Sequence, residues 1–151
     1  YGPWGRPDMA PMIFTKSILK GEPIKVFNNG EMYRDFTYID DVVEAIEKLI
    51  NKPPEANANF DKNFLEPSKS WCPYRILNIG NSNKVYLKDF INLLEKEIGK
   101  KAIIEYKDFQ PGDVQTTLSN TQELEKITNF KPKTKLKQGI KLFVNWYKKY
   151  Y

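Results

Sequence analysis

Three side chains in this sequence are of a type and setting that could hold an anionic small molecule. Arg34 lies in Tyr33-Arg34-Asp35-Phe36, a cation among aromatics immediately ahead of a helix. From the residues alone a surface ion pair with Asp35 or Glu31 is the first reading, and anion binding the sharper one, because its planar guanidinium fork matches phosphate oxygens. Arg6 stands in a loop rich in proline and glycine, as a solvated charge or a ligand contact. Asp113 belongs to Gln110-Pro111-Gly112-Asp113-Val114, which composition alone reads as a turn with a turn carboxylate. Asp40 and Asp41 adjoin at a helix start, where capping and the helix dipole account for both carboxylates without a metal.

What the sequence lacks is as informative. There is no histidine, which removes Ser-His-Asp triads, histidine general bases and most zinc sites. The single cysteine, Cys72, leaves no intramolecular disulfide and suits a reducing, cytosolic setting. No apolar run approaches the roughly 20 residues of a membrane-spanning helix. The net charge of +5 comes from scattered lysines, not from a basic face on a known binding module, so nucleic acid and membrane partners are not expected. Eight glycines are present, yet none forms the Gly-x-Gly-x-x-Gly turn that lets a backbone approach a dinucleotide pyrophosphate.

The elements that must position these residues follow from periodicity and turn chemistry. Residues 1–11 are loop, with Asp8 a candidate cap for a helix that Pro11 opens and Gly21 ends. A short apolar strand through Val26 and Phe27 meets an Asn28-Asn29-Gly30 turn. An alternating strand then puts Met32, Arg34 and Phe36 on one face and Tyr33, Asp35 and Thr37 on the other. Thr37 or Asp40 caps a helix over 39–51 that is apolar around much of its girth. Residues 52–73 read as an elaborated surface loop, and Tyr74–Gly80 as a buried, parallel-type strand. Leu87, Phe90, Ile91, Leu94 and Ile98 mark an amphipathic helix that Gly99 terminates, followed by a strand over 102–106. Asn120 or Thr121 starts a short helix. Thr134 caps the last one, whose stripe is Leu136, Ile140, Phe143, Val144 and Tyr147 and whose lysines form a solvated face.

Three segments together resemble one family. Arg34-Asp35-Phe36-Thr37-Tyr38-Ile39-Asp40-Asp41 is similar to the "RDF-Y-DD" signature of extended short-chain dehydrogenase/reductase enzymes acting on nucleotide sugars. Tyr1-Gly2-Pro3-Trp4-Gly5-Arg6-Pro7-Asp8-Met9-Ala10-Pro11-Met12 resembles the segment entering the substrate domain of UDP-glucuronate 4-epimerases. Gln110-Pro111-Gly112-Asp113-Val114 fits the same subfamily, and many other nucleotide-sugar epimerases carry an arginine in place of Gln110. The resemblance covers essentially the whole chain but not a whole enzyme, and the Tyr1-Gly2-Pro3 opening reads as the interior of a longer protein.

The resemblance implies an α/β fold: the C-terminal substrate-binding lobe of such an enzyme, helices with short strands, lacking most of the Rossmann domain. Residues 1–151 would be the nucleotide-sugar-binding portion, with 39–51 and 75–79 packing on a Rossmann sheet supplied from outside it and exposing apolar surface without it. Arg34 would clamp the diphosphate, and Val26, Phe27 and Asn28 would hold the uracil through backbone contacts and stacking by Phe27. Asp113 would accept from the ribose hydroxyls, and Arg6 would meet the uronate carboxylate. The intact enzyme would hold NAD on its N-terminal domain, form a homodimer through it, and interconvert UDP-glucuronate and UDP-galacturonate. The family's proton-transfer pair, a tyrosine followed four residues later by a lysine, is absent here, so no catalytic residue, cofactor or metal is expected in this chain alone. A nucleotide-sugar dehydratase or reductase fragment, and a non-catalytic binding or structural module, are the alternative readings.

Overall fold

Proline and glycine set the first boundaries. In the computed structural model, which describes residues 1–151, Pro11 sits in the first turn of α1 (Ala10–Lys20), and Gly21 closes it at φ 73°. Strand β1 (Pro23–Phe27) follows, then a 3₁₀ turn at Asn28–Gly30, β2 (Tyr33–Asp35) and α2 (Ile39–Ile50). After a long irregular segment come β3 (Lys84–Tyr86), α3 (Leu87–Ile98), β4 (Ile103–Lys107), α4 (Gln122–Thr128) and α5 (Leu136–Tyr150).

The strands form two separate pairs. β1 runs parallel to β4 with Val26 opposite Tyr106, and β2 runs antiparallel to β3 with Arg34 opposite Val85. A core of sixteen buried side chains lies between β1, α1, α3 and α5. Ile24, Phe90, Leu94, Ile140 and Phe143 are fully inaccessible there, each stabilising by roughly 1.5–3 kcal/mol. The apolar stripes expected for α3 and α5 are the faces they bury. A second, smaller core has only Ala45, Leu124 and Phe130 fully inside, with Leu49, Leu77 and Ile79 against them.

Several local expectations are corrected. Neither Thr37 nor Asp40 caps α2. Tyr38 takes the N-cap position without a side-chain bond, the Ile39 N–H donates to the Tyr1 carbonyl at 2.9 Å, and Thr37 Oγ1 instead accepts from the Asn81 N–H. Asp8 does not cap α1, because its carboxylate is bound to Arg6. Thr134 does not cap α5, whose N-cap is Lys135; the Thr134 N–H donates to Asp41. The alternating strand is regular only over Tyr33–Asp35. Tyr74–Gly80 is not a strand: although Leu77 and Ile79 pack on the small core, the segment forms no backbone ladder with any neighbour. Residues 52–73 are irregular, as expected.

Candidate functional site

Arg34 on β2 lines a cleft of about 1080 Å³, just above the roughly 300–1,000 Å³ of small-molecule sites. Phe27 from the end of β1, Arg6 and Asp8 from the first loop, and Gln110 and Asp113 from the loop after β4 line the same space. Four of the six side chains expected to bind ligand, Arg6, Phe27, Arg34 and Asp113, therefore converge from segments far apart in sequence. Val26 and Asn28 do not line it. The Val26 side chain is buried in the main core, so only its backbone could serve a ligand. The Asn28 amide donates to the Glu31 carbonyl at 2.9 Å, which holds the turn in its left-handed conformation.

The Arg34 guanidinium is held from three sides. Nη2 donates to Asp113 Oδ1 at 2.8 Å, and Nη1 donates to the carbonyls of Tyr33 (2.9 Å) and Gln115 (3.3 Å). The ion-pair partners expected from sequence, Asp35 and Glu31, are both engaged elsewhere. Glu31 pairs with Lys88 at 2.8 Å, a bond that holds its carboxyl below the usual glutamate range. Asp35 accepts from three backbone N–H groups, those of Ser82 (3.1 Å), Asn83 (3.4 Å) and Ser119 (2.9 Å).

Asp113 Oδ1 also accepts from the Val114 N–H at 2.8 Å, while Oδ2 has no partner within the chain. At the cleft mouth Arg6 makes a two-point contact with Asp8, 3.2 Å through Nε and 2.5 Å through Nη2. That hydrogen bond, with charge attraction, raises the Arg6 pKa and lowers that of Asp8. Both side chains remain well exposed.

Asp35 was missed as a site residue. Its carboxylate ties β2 to the segments at 82–83 and 119, and its N–H donates to Thr117 Oγ1 at 3.0 Å. The loop bearing Asp113 is fixed next to Arg34 in this way, helped by the Tyr33 N–H bond to Gln115. No local signal marks it, because the partners lie 47 to 84 residues away. Gly80 permits the closeness: a Cβ there would meet Ser119 Cβ at 2.3 Å. Asp41 is equally committed, accepting from the Lys133 and Thr134 N–H groups.

The junctions from β2 to α2 and from β3 to α3 contain no glycine. Neither junction forms the glycine-lined close-approach turn that cradles a dinucleotide pyrophosphate. What the arrangement supplies is two guanidinium groups, the Lys25 ammonium, the carboxylates of Asp8, Asp35 and Asp113, and several aromatic rings, Phe27 among them, around one cavity.

A family model described as GDP-mannose 4,6 dehydratase matches residues 9–143. Protein CapI of Staphylococcus aureus is 46% identical over 151 residues, covering all of this chain and 45% of that protein. A probable UDP-glucuronate 4-epimerase of Rhizobium meliloti is 41% identical over 152 residues, again covering 100% of this chain and 45% of the relative. Among solved structures, UDP-glucuronic acid 4-epimerase from Bacillus cereus in complex with UDP-glucuronic acid and NAD superposes with a TM-score of 0.81 at 28% identity, covering 100% of this chain and 43% of that one. The chain belongs to this family of NAD-dependent epimerases and dehydratases and is similar to its UDP-glucuronate 4-epimerases. It spans less than half the length of these relatives. No helix is long and apolar enough to cross a membrane.

Proposed function

We propose that this chain is the C-terminal, nucleotide-sugar-binding portion of a cytosolic NAD-dependent epimerase that interconverts UDP-glucuronate and UDP-galacturonate. The observation that carries the reading is the convergence of Arg6, Phe27, Arg34 and Asp113 on one cleft. Arg34 is the diphosphate clamp, acting through charge-assisted hydrogen bonds. Phe27, with the backbone of Val26 and the Asn28 turn, holds the uracil. Asp113 accepts from the ribose, and Arg6 at the mouth meets the sugar carboxylate and separates a uronate from its neutral sugar. Gln110 supplies no second cation, as befits the glucuronate subfamily. The catalytic tyrosine–lysine pair, the NAD cradle and the homodimer contact belong to the remainder of the intact enzyme, so this chain alone binds without catalysing.

Support also comes from α2 and its surroundings. Val43, Ile46 and Ile50 on α2, and Tyr74 and Ile76 in the segment ahead of β3, are at least 47% exposed, apolar surface suited to cover by a Rossmann sheet. Calorimetric titration with UDP and UDP-glucuronate tests the reading. Binding by the wild-type chain that is lost in Arg34→Ala is the expected result. Equal affinity in the two proteins overturns the clamp assignment.

A further inference from the structure

Resting on that reading, we infer that Lys25 is a third anion-binding residue of the cleft, and the one whose charge the chain itself leaves uncompensated. Strand β1 presents two faces. Ile24 and Val26 point into the core and are inaccessible, whereas Pro23, Lys25 and Phe27 alternate with them and line the cleft. Lys25 therefore stands on the same face as the ring assigned to the uracil, roughly 6.6 Å along the strand.

Three cationic and three carboxylate side chains line the cleft, and their pairing leaves one charge over. Arg6 is bound to Asp8 and Arg34 to Asp113, while the Asp35 carboxylate is satisfied by backbone N–H groups. Lys25 takes part in no ion pair and no hydrogen bond. The strand pairing explains why. Glu105 on β4 lies directly opposite Lys25, but its carboxylate is held by Lys107 at 2.6 Å. That hydrogen bond is the main reason the Glu105 carboxyl lies below the usual glutamate range, and the charge of Lys25 contributes least. An exposed ammonium on a flexible stem, with three donors, can follow phosphate or carboxylate oxygens without a fixed geometry. The two arginines each enter the cleft with a carboxylate attached, so the net attraction an incoming anion meets there comes from Lys25. Its loss leaves a lining with more carboxylates than cations.

The test is calorimetry on the full 151-residue chain with uridine, UDP and UDP-glucuronate, at low and high potassium chloride, in wild type, Lys25→Met, Lys25→Arg and Arg34→Ala. Methionine keeps an apolar stem and removes the ammonium; Lys25→Arg keeps the charge, and circular dichroism checks the fold of each. Expected for Lys25→Met is UDP-glucuronate binding weakened about fivefold, a shallower loss of affinity with salt, unchanged uridine binding, and rescue by Lys25→Arg. A loss shared by UDP places the ammonium on the diphosphate; a loss confined to UDP-glucuronate places it on the uronate. Wild-type affinity for UDP-glucuronate in Lys25→Met, or an equal loss for uridine, overturns the assignment, because a contact between charges must move the first and spare the second. If wild type and Arg34→Ala bind UDP alike, the clamp reading fails instead, a distinguishable result. A wild-type chain that binds neither nucleotide overturns both.

Discussion

The two cores of this molecule differ in what they achieve unaided. Around α3 and α5, amphipathic stripes meet across a closed interior, and the side chains facing it are almost all inaccessible. Helix α2 carries as strong an apolar character but buries only Ala45 and the hydrogen-bonded Asp41 completely. The contrast teaches that an apolar helix need not mark a finished core. The first region is complete within 151 residues, whereas the second offers surface that it cannot cover.

Amide hydrogen exchange gives the sharpest version of that comparison. Protection in α3 and α5 is expected to approach the global opening free energy, and α2 with residues 74–80 to open locally and exchange orders of magnitude faster. Equal protection of α2 in a monomer would break the contrast.

Next in size is Phe90→Ala. Phe90 is fully buried and stacks on Phe36 at 4.2 Å between ring centroids, so truncation should lower stability by about 3–5 kcal/mol in denaturant unfolding. Leu124→Ala in the small core should shift the same transition less. A larger loss there would mean that the two regions unfold as one.

The sequence made the first region legible because its signals are local. Leu87, Phe90, Ile91, Leu94 and Ile98 repeat at helical spacing, and Gly21 and Gly99 adopt left-handed caps. Parallel pairing of β1 with β4 is non-local, and so is the fate of each carboxylate. Asp35 and Asp41 both resemble caps or surface charges, but each is taken by backbone N–H groups that only the tertiary fold supplies, whereas Asp8 pairs locally with Arg6. Tyr74–Gly80 has the composition of a buried strand but pairs with no other strand, so composition named a ladder that this chain does not form. Four side chains named through motif resemblance line one cleft; Arg34's partner was not anticipated, because Glu31 and Asp35 are closer in sequence than Asp113.

A smaller effect concerns the end of α3. Burial alone would push the Glu95 carboxyl upward, yet bonds from Lys101 (2.6 Å) and the Ala102 N–H (2.9 Å) bring it below its ordinary 4.5. Its contribution is thus present above about pH 4.5 and is lost as pH falls through the lower folded value. Glu95→Gln should reduce stability at pH 7 and flatten the acid limb of an unfolding-versus-pH curve; an unchanged limb would show the main core indifferent to this contact.

The smallest expected change in stability is at the open face. Ile46→Glu with Ile50→Lys should alter unfolding by no more than about 0.5 kcal/mol, because both side chains are at least half exposed. Sedimentation should show reduced self-association. A stability loss of several kcal/mol would mean that the face is covered within the chain after all.

The parallel pairing of β1 with β4 acts as a ruler between two loops. Because both strands point the same way, the Asn28 turn and the Asp113 loop leave the sheet at one edge, and a single elongated molecule can span them. Sliding β4 by two residues along β1 would preserve every inward and outward face, yet carry the Asp113 loop about 6.6 Å along the sheet. Strand register therefore sets the spacing of the two loops, and insertions or deletions between Gly99 and Ile103 offer a means of resetting it without changing any residue proposed to bind ligand.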